Sequence, residues 1–497
     1  MTFPYYHSSL SSTLRAADLG CAAHFRGIKY GIIPRRFANP EPLADYPAEL
    51  DCTTYGPRCP QTQVDVTYLL RIPPSISIAP EPEDEFGCLN LDVMVPKTAL
   101  AEGRRLPVVV WIHGGSQAVT FGSAASGVCD PTAIVNDSIR LGKPLIFVSV
   151  QYRLNIFAFG GESNEQNLAL KDQLLALKWV QHHISALNGD PENVTLAGES
   201  AGAVYCHALL VMKAPAKQAI LSSGSLYLSP PQPAERASLL RDSVKRQLEE
   251  LGGFDLRSAS AQLLVDALTR TGIQSWFLQT EPSLDRWWEE TGISKSVLLS
   301  HVQDESVIWR NGILAAGTDS IINAFSLAED DSDELKNMYQ IYSNRSSAAT
   351  TGALDFINDY RFVLPIIKMA CLWRDHGKRV FQSLIDEANP WQPSSGAHHA
   401  VDLLLLFGGF DMSASPGAEE IGQKMRERWI KFISGEDPWP SESSGVFGPH
   451  GRFEELDDVQ MRTRRRGSHL MKLDGMDSVR TDRVFSALAA GRVSLSN

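Results

Sequence analysis

No run of about 18 consecutive apolar residues occurs in the 497-residue chain, so no membrane-spanning helix is expected. The longest apolar stretches, 107–112 and 403–407, have the length of buried strands or short core segments. Residues 1–20 have no apolar h-region and carry Arg15 and Asp18. No secretory signal is therefore read, and the expected location is intracellular, in the cytoplasm. Basic residues are in deficit, with 46 Lys and Arg against 58 Asp and Glu. The net charge of −12 argues against a nucleic-acid partner, which needs a basic face. The one basic run, Arg462, Arg464, Arg465 and Arg466, reads as a solvated loop. The seven cysteines include no CxxC pair, so no metal is expected to be held by such a motif, and an odd count leaves at least one free thiol. Internal repeats and low-complexity linkers are missing too, which removes solenoids and strings of modules.

What is present is alternation of strand and helix. The segment 89–93 alternates apolar and polar like a half-buried strand. The β-branched runs 107–112 and 145–150 suit strands covered on both faces, as in a parallel sheet. Leu170, Leu174 and Leu177 recur at helical spacing, with Ile184 continuing the face. A strand at 194–197, a helix at 201–210 and strands at 219–221 and 297–300 follow. The fold class is therefore α/β with a doubly wound sheet. Beyond Gly224 the alternation fades, and 230–294 reads as largely helical with an aromatic cluster of Trp276, Phe277, Trp287 and Trp288. That cluster suits either packing between helices or the wall of a pocket.

Gly198-Glu199-Ser200-Ala201-Gly202 is a G-x-S-x-G motif that closes an apolar strand and opens a helix. The strand–turn–helix context is what exposes a nucleophilic serine at the top of a sheet. Glycines leave room where strand and helix approach, and the helix N-terminus favours developing negative charge. Ser200 is thus the expected nucleophile, with the Ala201 N–H as one oxyanion donor.

From these residues the sequence resembles the type-B carboxylesterase family, which includes cholinesterases and many fungal esterases. The likeness runs from about His24 to about Pro440. It rests on Asp190-Pro191-Glu192-Asn193-Val194-Thr195-Leu196 before the elbow and on Cys88-Leu89-Asn90-Leu91-Asp92-Val93. Further matches are Tyr55-Gly56-Pro57-Arg58-Cys59-Pro60-Gln61, Tyr152-Arg153-Leu154, Asp172-Gln173, Trp429 with Phe432, and Gly435-Glu436-Asp437-Pro438. The resemblance implies an α/β-hydrolase fold: a mostly parallel twisted sheet in one catalytic domain spanning 1–497. Helical insertions at about 225–295 and 310–390 would form a pocket wall or lid.

The resemblance also implies an acid and a histidine downstream. Gln303-Asp304-Glu305-Ser306 is similar to the family's acid turn and points to Glu305, with Asp304 as the neighbouring alternative. Gly396-Ala397-His398-His399 resembles the histidine loop, and Asp402 three residues on selects His399 over His398. His113-Gly114-Gly115-Ser116 resembles the family's H-G-G-G loop. It implies backbone oxyanion donors at Gly115 and Ser116 beside Ala201, with Ser116 replacing a glycine. Ser223 matches a serine that hydrogen-bonds near the acid. Cys59 and Cys88 match a family disulfide, which a reducing compartment disfavours. The chain departs from the family at Phe86-Gly87 and Leu187-Asn188, both read as structural turns.

These readings imply a serine carboxylic ester hydrolase acting on a small-molecule ester, without cofactor or metal. The acyl and alcohol pockets are expected around Gln117, Phe121, Trp276 and Trp288. No tryptophan in 71–88 stands where a choline-binding one would, so acetylcholine is not an expected substrate. An acyl transferase or lactone-forming enzyme of secondary metabolism would use the same three residues. A non-catalytic binding module is disfavoured by the intact Ser200, Glu305 and His399. Oligomeric state is left open.

Overall fold

A computed structural model describes residues 1–161, 165–490 and 493 of the chain. Thirteen strands form its main sheet. In chain order they are β1 (Thr2–His7), β2 (Ser12–Leu19), β3 (Ala22–Lys29), β4 (Glu49–Cys52), β5 (Asn90–Pro96), β6 (Leu106–Ile112) and β7 (Ile146–Val150). They continue as β8 (Gly189–Glu199), β9 (Gln218–Ser222), β10 (Ser296–Val302), β11 (Arg379–Ile385), β12 (Ser444–Phe447) and β13 (Phe453–Leu456). Across the sheet the order is β1-β2-β3-β5-β7-β6-β8-β9-β10-β11-β12-β13, with β4 beside β2. The pairs from β7 through β12 are all parallel, and antiparallel strands flank them on both sides. Helices connect the parallel strands, among them Leu168–His183, Ala201–Val211 and Leu364–Asp375.

The parallel strands are the β-branched and leucine-rich runs of the sequence, and they are buried on both faces as expected. One strand departs from its pattern. The alternation at 89–93 predicts a half-buried strand, yet β5 is buried along its whole length. Its polar residues turn inward because partners await them. The Asn90 amide donates to the carbonyls of Pro57 and Gly87 at 2.8 and 3.0 Å, and Asp92 accepts from the Gly27 N–H at 2.8 Å. At the departure Leu187-Asn188, Asn188 takes a left-handed φ of 62°, which asparagine tolerates better than most residues.

The basic run is not a solvated loop. It ends the helix Asp458–Arg464 and leads into Gly467–Gly475. Arg464 pairs with Asp386 at 2.6 Å, Arg466 with Asp359 at 2.8 Å, and Arg465 donates to the Val302 carbonyl at 2.8 Å. Arg462 alone stays exposed. The segment 230–294 is helical only at Ala234–Gly252 and Ala261–Thr271, followed by two single turns. Cys59 and Cys88 are buried free thiols; Cys88 donates to the Glu85 carbonyl and Cys59 accepts the Leu154 N–H. Among the described residues no helix is long and apolar enough to cross a membrane.

One buried ion pair fixes the loop after β7. Arg153 donates to both carboxylate oxygens of Asp172, at 2.9 and 2.6 Å, and to the Ala38 carbonyl at 2.7 Å. The side chains are 1% and 0% exposed. Removing one partner leaves a charge buried without its counterion, which costs about 3–5 kcal/mol. Arg153→Ala is expected to lose stability on that scale in denaturant unfolding, whereas a loss below about 1 kcal/mol would mean the pair is replaceable by water.

Candidate active site

Four loops meet at the carboxyl ends of the parallel strands, where open α/β sheets place their ligand crevices. β6 leads into His113-Gly114-Gly115-Ser116, β8 into Ser200, β10 into Asp304-Glu305, and the chain after β11 into His398-His399. Each strand is anchored by its neighbours, so each loop starts from a fixed point.

Ser200 sits between β8 and the helix Ala201–Val211 with φ 54° and ψ −123°. Such backbone strain is costly and persists only where the surroundings enforce it. The Ser200 N–H donates to the Ser222 carbonyl at 2.9 Å, tying the turn to β9. A Cβ on Gly202 would lie 2.1 Å from the Ile112 carbonyl oxygen, so only glycine lets the helix start so close to β6.

The histidine loop and the acid turn are joined by backbone. The Asp304 N–H donates to the Ala397 carbonyl at 2.9 Å, and the His399 N–H returns to the Asp304 carbonyl at 3.2 Å. This pairing sets His399 next to Glu305 and occupies Asp304 through its main chain. His399 Nδ1 lies 2.5 Å from Glu305 Oε2, and His399 Nε2 lies 3.0 Å from Ser200 Oγ. A carboxylate only accepts, so Nδ1 carries the proton and, in the neutral ring, Nε2 is free to accept from the serine hydroxyl. Glu305 is fully buried, with Oε1 accepting from the Val302 N–H at 2.8 Å. His398 is also buried, beside the Asn389 amide at 2.9 Å, and burial lowers it to about 4.

Three backbone N–H groups, of Gly115, Ser116 and Ala201, make no protein hydrogen bond among the described residues. Gly115 and Ser116 line the cavity that contains Ser200. Ser116, at the position read as a replaced glycine, takes a left-handed φ of 54°, and its carbonyl is held by the Trp276 N–H at 2.9 Å.

Two further carboxyls, Glu199 of the elbow motif and Asp402 of the histidine loop, surround this pair. Glu199 Oε1 lies 3.3 Å from His399 Nε2, and neither of its oxygens has a hydrogen-bond partner among the described residues. Burial raises Glu199 well above the usual carboxylate range. Burial also raises Asp402, with help from Glu305, to about 7. Burial alone would lower His399, but Glu199, Glu305 and Asp402 outweigh it and bring the imidazole to about 9. Glu199 and His399 therefore titrate as a pair, held protonated to higher pH than either group in water.

Of the four residues expected to line the substrate pocket, only Phe121 does. Gln117 is buried and donates to Ser229 Oγ at 3.4 Å. Trp276 is buried edge-to-face against Phe159 at 4.8 Å. Trp288 is exposed against Trp287. No residue of 225–295 lines the cavity that holds Ser200. The walls are instead Tyr68, Leu69 and Arg71 on one side and Val307, Ile308, Arg310 and Asn311 on another. Ser223 is buried with its hydroxyl unpartnered among the described residues; its N–H, not its side chain, is bonded, to Ser300. Among the described residues no group of three or more His, Cys, Asp or Glu is placed to hold a metal ion.

The family model described as "Carboxylesterase family" matches residues 14–460. Lipase 3 of Yarrowia lipolytica is 28% identical over 490 residues, covering 95% of this chain and 96% of that protein. Lipase 1 of the same organism is 30% identical over 479 residues, covering 91% and 92%. Among solved structures, a thermophilic pNB esterase superposes with a TM-score of 0.73 at 23% identity, covering 93% of this chain and 99% of that one. That superposition identifies the fold as the α/β-hydrolase fold.

Proposed function

Because the chain belongs to the carboxylesterase family and is a carboxylic ester hydrolase, we propose that it works through a Ser200–His399–Glu305 relay and an acyl-enzyme intermediate. The observation that carries this reading is the unbroken chain of contacts, 3.0 Å from Ser200 Oγ to His399 Nε2 and 2.5 Å from His399 Nδ1 to Glu305. His399 takes the hydroxyl proton as Ser200 attacks the ester carbonyl, and Glu305 holds the tautomer and stabilises the imidazolium. The developing oxyanion is received by the N–H groups of Gly115, Ser116 and Ala201. One such donor is worth roughly 10²- to 10³-fold in kcat. His399 then protonates the leaving alcohol, and water repeats the steps on the acyl-serine. The substrate is a small-molecule ester.

A fluorophosphonate probe, with peptide mass spectrometry to locate the adduct, tests the reading. An adduct on Ser200 that is lost in His399→Ala is the expected result. Absence of any adduct on folded protein would reject an activated serine.

The pH profile gives a second test. The relay needs neutral His399, and its neighbours raise it to about 9. The rate kcat/KM is therefore expected to climb between about pH 7 and 9 as the imidazole loses its proton. Glu199 is the largest influence raising His399. Glu199→Gln should move that limb to lower pH by at least about one unit, equal to about 1.4 kcal/mol of lost attraction. An unmoved limb would show that Glu199 is already neutral when His399 titrates.

A further inference from the structure

The cavity that holds Ser200 is also lined by two arginines, Arg71 and Arg310. The half-buried Arg71 packs over the Tyr68 ring at 4.6 Å and donates one Nη1 hydrogen bond to the Tyr68 carbonyl at 2.9 Å. The Asn311 amide, helped by the same guanidinium, lowers the pKa of the Tyr68 hydroxyl. Arg310 follows the turn that carries Glu305 and is exposed. The Tyr68 hydroxyl and the Asn311 amide approach to 3.5 Å, which brings the two arginine-bearing segments together at the cavity mouth.

Neither guanidinium forms an ion pair among the described residues. The other shielded arginines divide: Arg36, Arg58, Arg153, Arg361 and Arg426 each hold a carboxylate, whereas Arg465 donates to the Val302 carbonyl and Arg428 to the Pro438 carbonyl. The nearby carboxyls face His399: Glu199 Oε1 lies 3.3 Å from its Nε2 and Glu305 Oε2 lies 2.5 Å from its Nδ1. The molecule as a whole carries −12, a field that turns anions away. The two arginines place positive charge against that field in the cavity of the reactive serine. Leu69, Phe121, Val307 and Ile308 supply the apolar part of the lining.

We propose that Arg71 and Arg310 select esters that carry an anionic group, a carboxylate at the end of an apolar acyl or alkyl chain. This rests on the ester-hydrolase reading above and names the substrate class of the same site. The arginines touch the charged end of the substrate while Ser200 meets the carbonyl. Planar guanidinium donors match a carboxylate's two oxygens, and Arg71 is held in place for that contact by Tyr68.

The test compares mono-4-nitrophenyl suberate, which ends in a carboxylate, with 4-nitrophenyl octanoate, its neutral counterpart of equal chain length. The reading is the ratio of their kcat/KM values in the wild type and in Arg71→Gln/Arg310→Gln. The ratio is expected to fall at least about tenfold in the double variant, the scale on which local charge alters capture of a charged ligand. Raising NaCl should lower kcat/KM for the suberate ester in the wild type and have less effect in the variant. Arg310→Gln alone, at an exposed position, keeps the test open should the double variant misfold, and is expected to show part of the drop. A ratio unchanged in the variants, or both esters losing rate in step, would overturn the proposal. Turnover of neither ester by the wild type would instead remove the hydrolase reading itself, and the anion preference with it.

Discussion

Ser200→Ala is expected to lower kcat/KM by on the order of 10⁴- to 10⁶-fold, the range seen when the nucleophile of such a relay is lost. The fold should be untouched. Alanine carries the same Cβ through the strained turn at φ 54°, and the Ser222 and Val204 contacts of residue 200 are made by its main chain. The serine hydroxyl has His399 as its hydrogen-bond partner, and His399 Nε2 keeps Glu199 at 3.3 Å when the hydroxyl is gone. The stability change is therefore about 1 kcal/mol, one ordinary hydrogen bond. Because the relay acts as a unit, Ser200→Ala/His399→Ala should be little worse than either change alone. Steady-state kinetics and thermal unfolding on the same preparations check both halves. Undiminished turnover in folded Ser200→Ala would place the nucleophile elsewhere.

How much of this could be read from the chain depends on how local the physics is. The elbow is legible because a sharp strand-to-helix turn demands glycine within two residues of the serine, and Gly198 and Gly202 are there. The parallel core is legible because strands buried on both faces are continuously apolar. Glu305 and His399 are 94 residues apart, and nothing in either segment by itself names the partner; only the resemblance to a known family selects them. The cavity walls were out of reach. Tyr68 and Asn311 meet across 243 residues, and neither segment carries a motif. Trp276 and Trp288 misled because an aromatic cluster looks alike in a core and in a pocket. The arginine run misled for a related reason: charge alone does not show that Asp359 and Asp386 wait 107 and 78 residues away. Glu199 stood in plain sight within the elbow motif. Its effect comes from burial beside His399, which only the folded chain creates.

The acid of the relay can be separated from its neighbour by one isosteric change at each position. Glu305→Gln is expected to cost about 10³- to 10⁴-fold in kcat/KM, as when the orienting carboxylate of a serine relay becomes an amide. The cause is tautomeric. Glu305 Oε2 accepts from His399 Nδ1 at 2.5 Å while Oε1 accepts from the Val302 N–H at 2.8 Å, so both oxygens face donors. A glutamine must turn its NH₂ towards one of them. Facing His399, it would favour the proton on Nε2, where it blocks acceptance from Ser200. Facing Val302, it would oppose a backbone donor in a fully buried site. Asp304→Asn should stay within about twofold, as a change at an exposed side chain does. What Asp304 contributes is its main chain, paired with Ala397 and His399, and asparagine preserves that. The two variants, assayed with the same ester and the same fluorophosphonate, therefore give opposite results if Glu305 is the acid. A severe defect in Asp304→Asn with near-normal Glu305→Gln would transfer the role to Asp304 and break the relay as drawn.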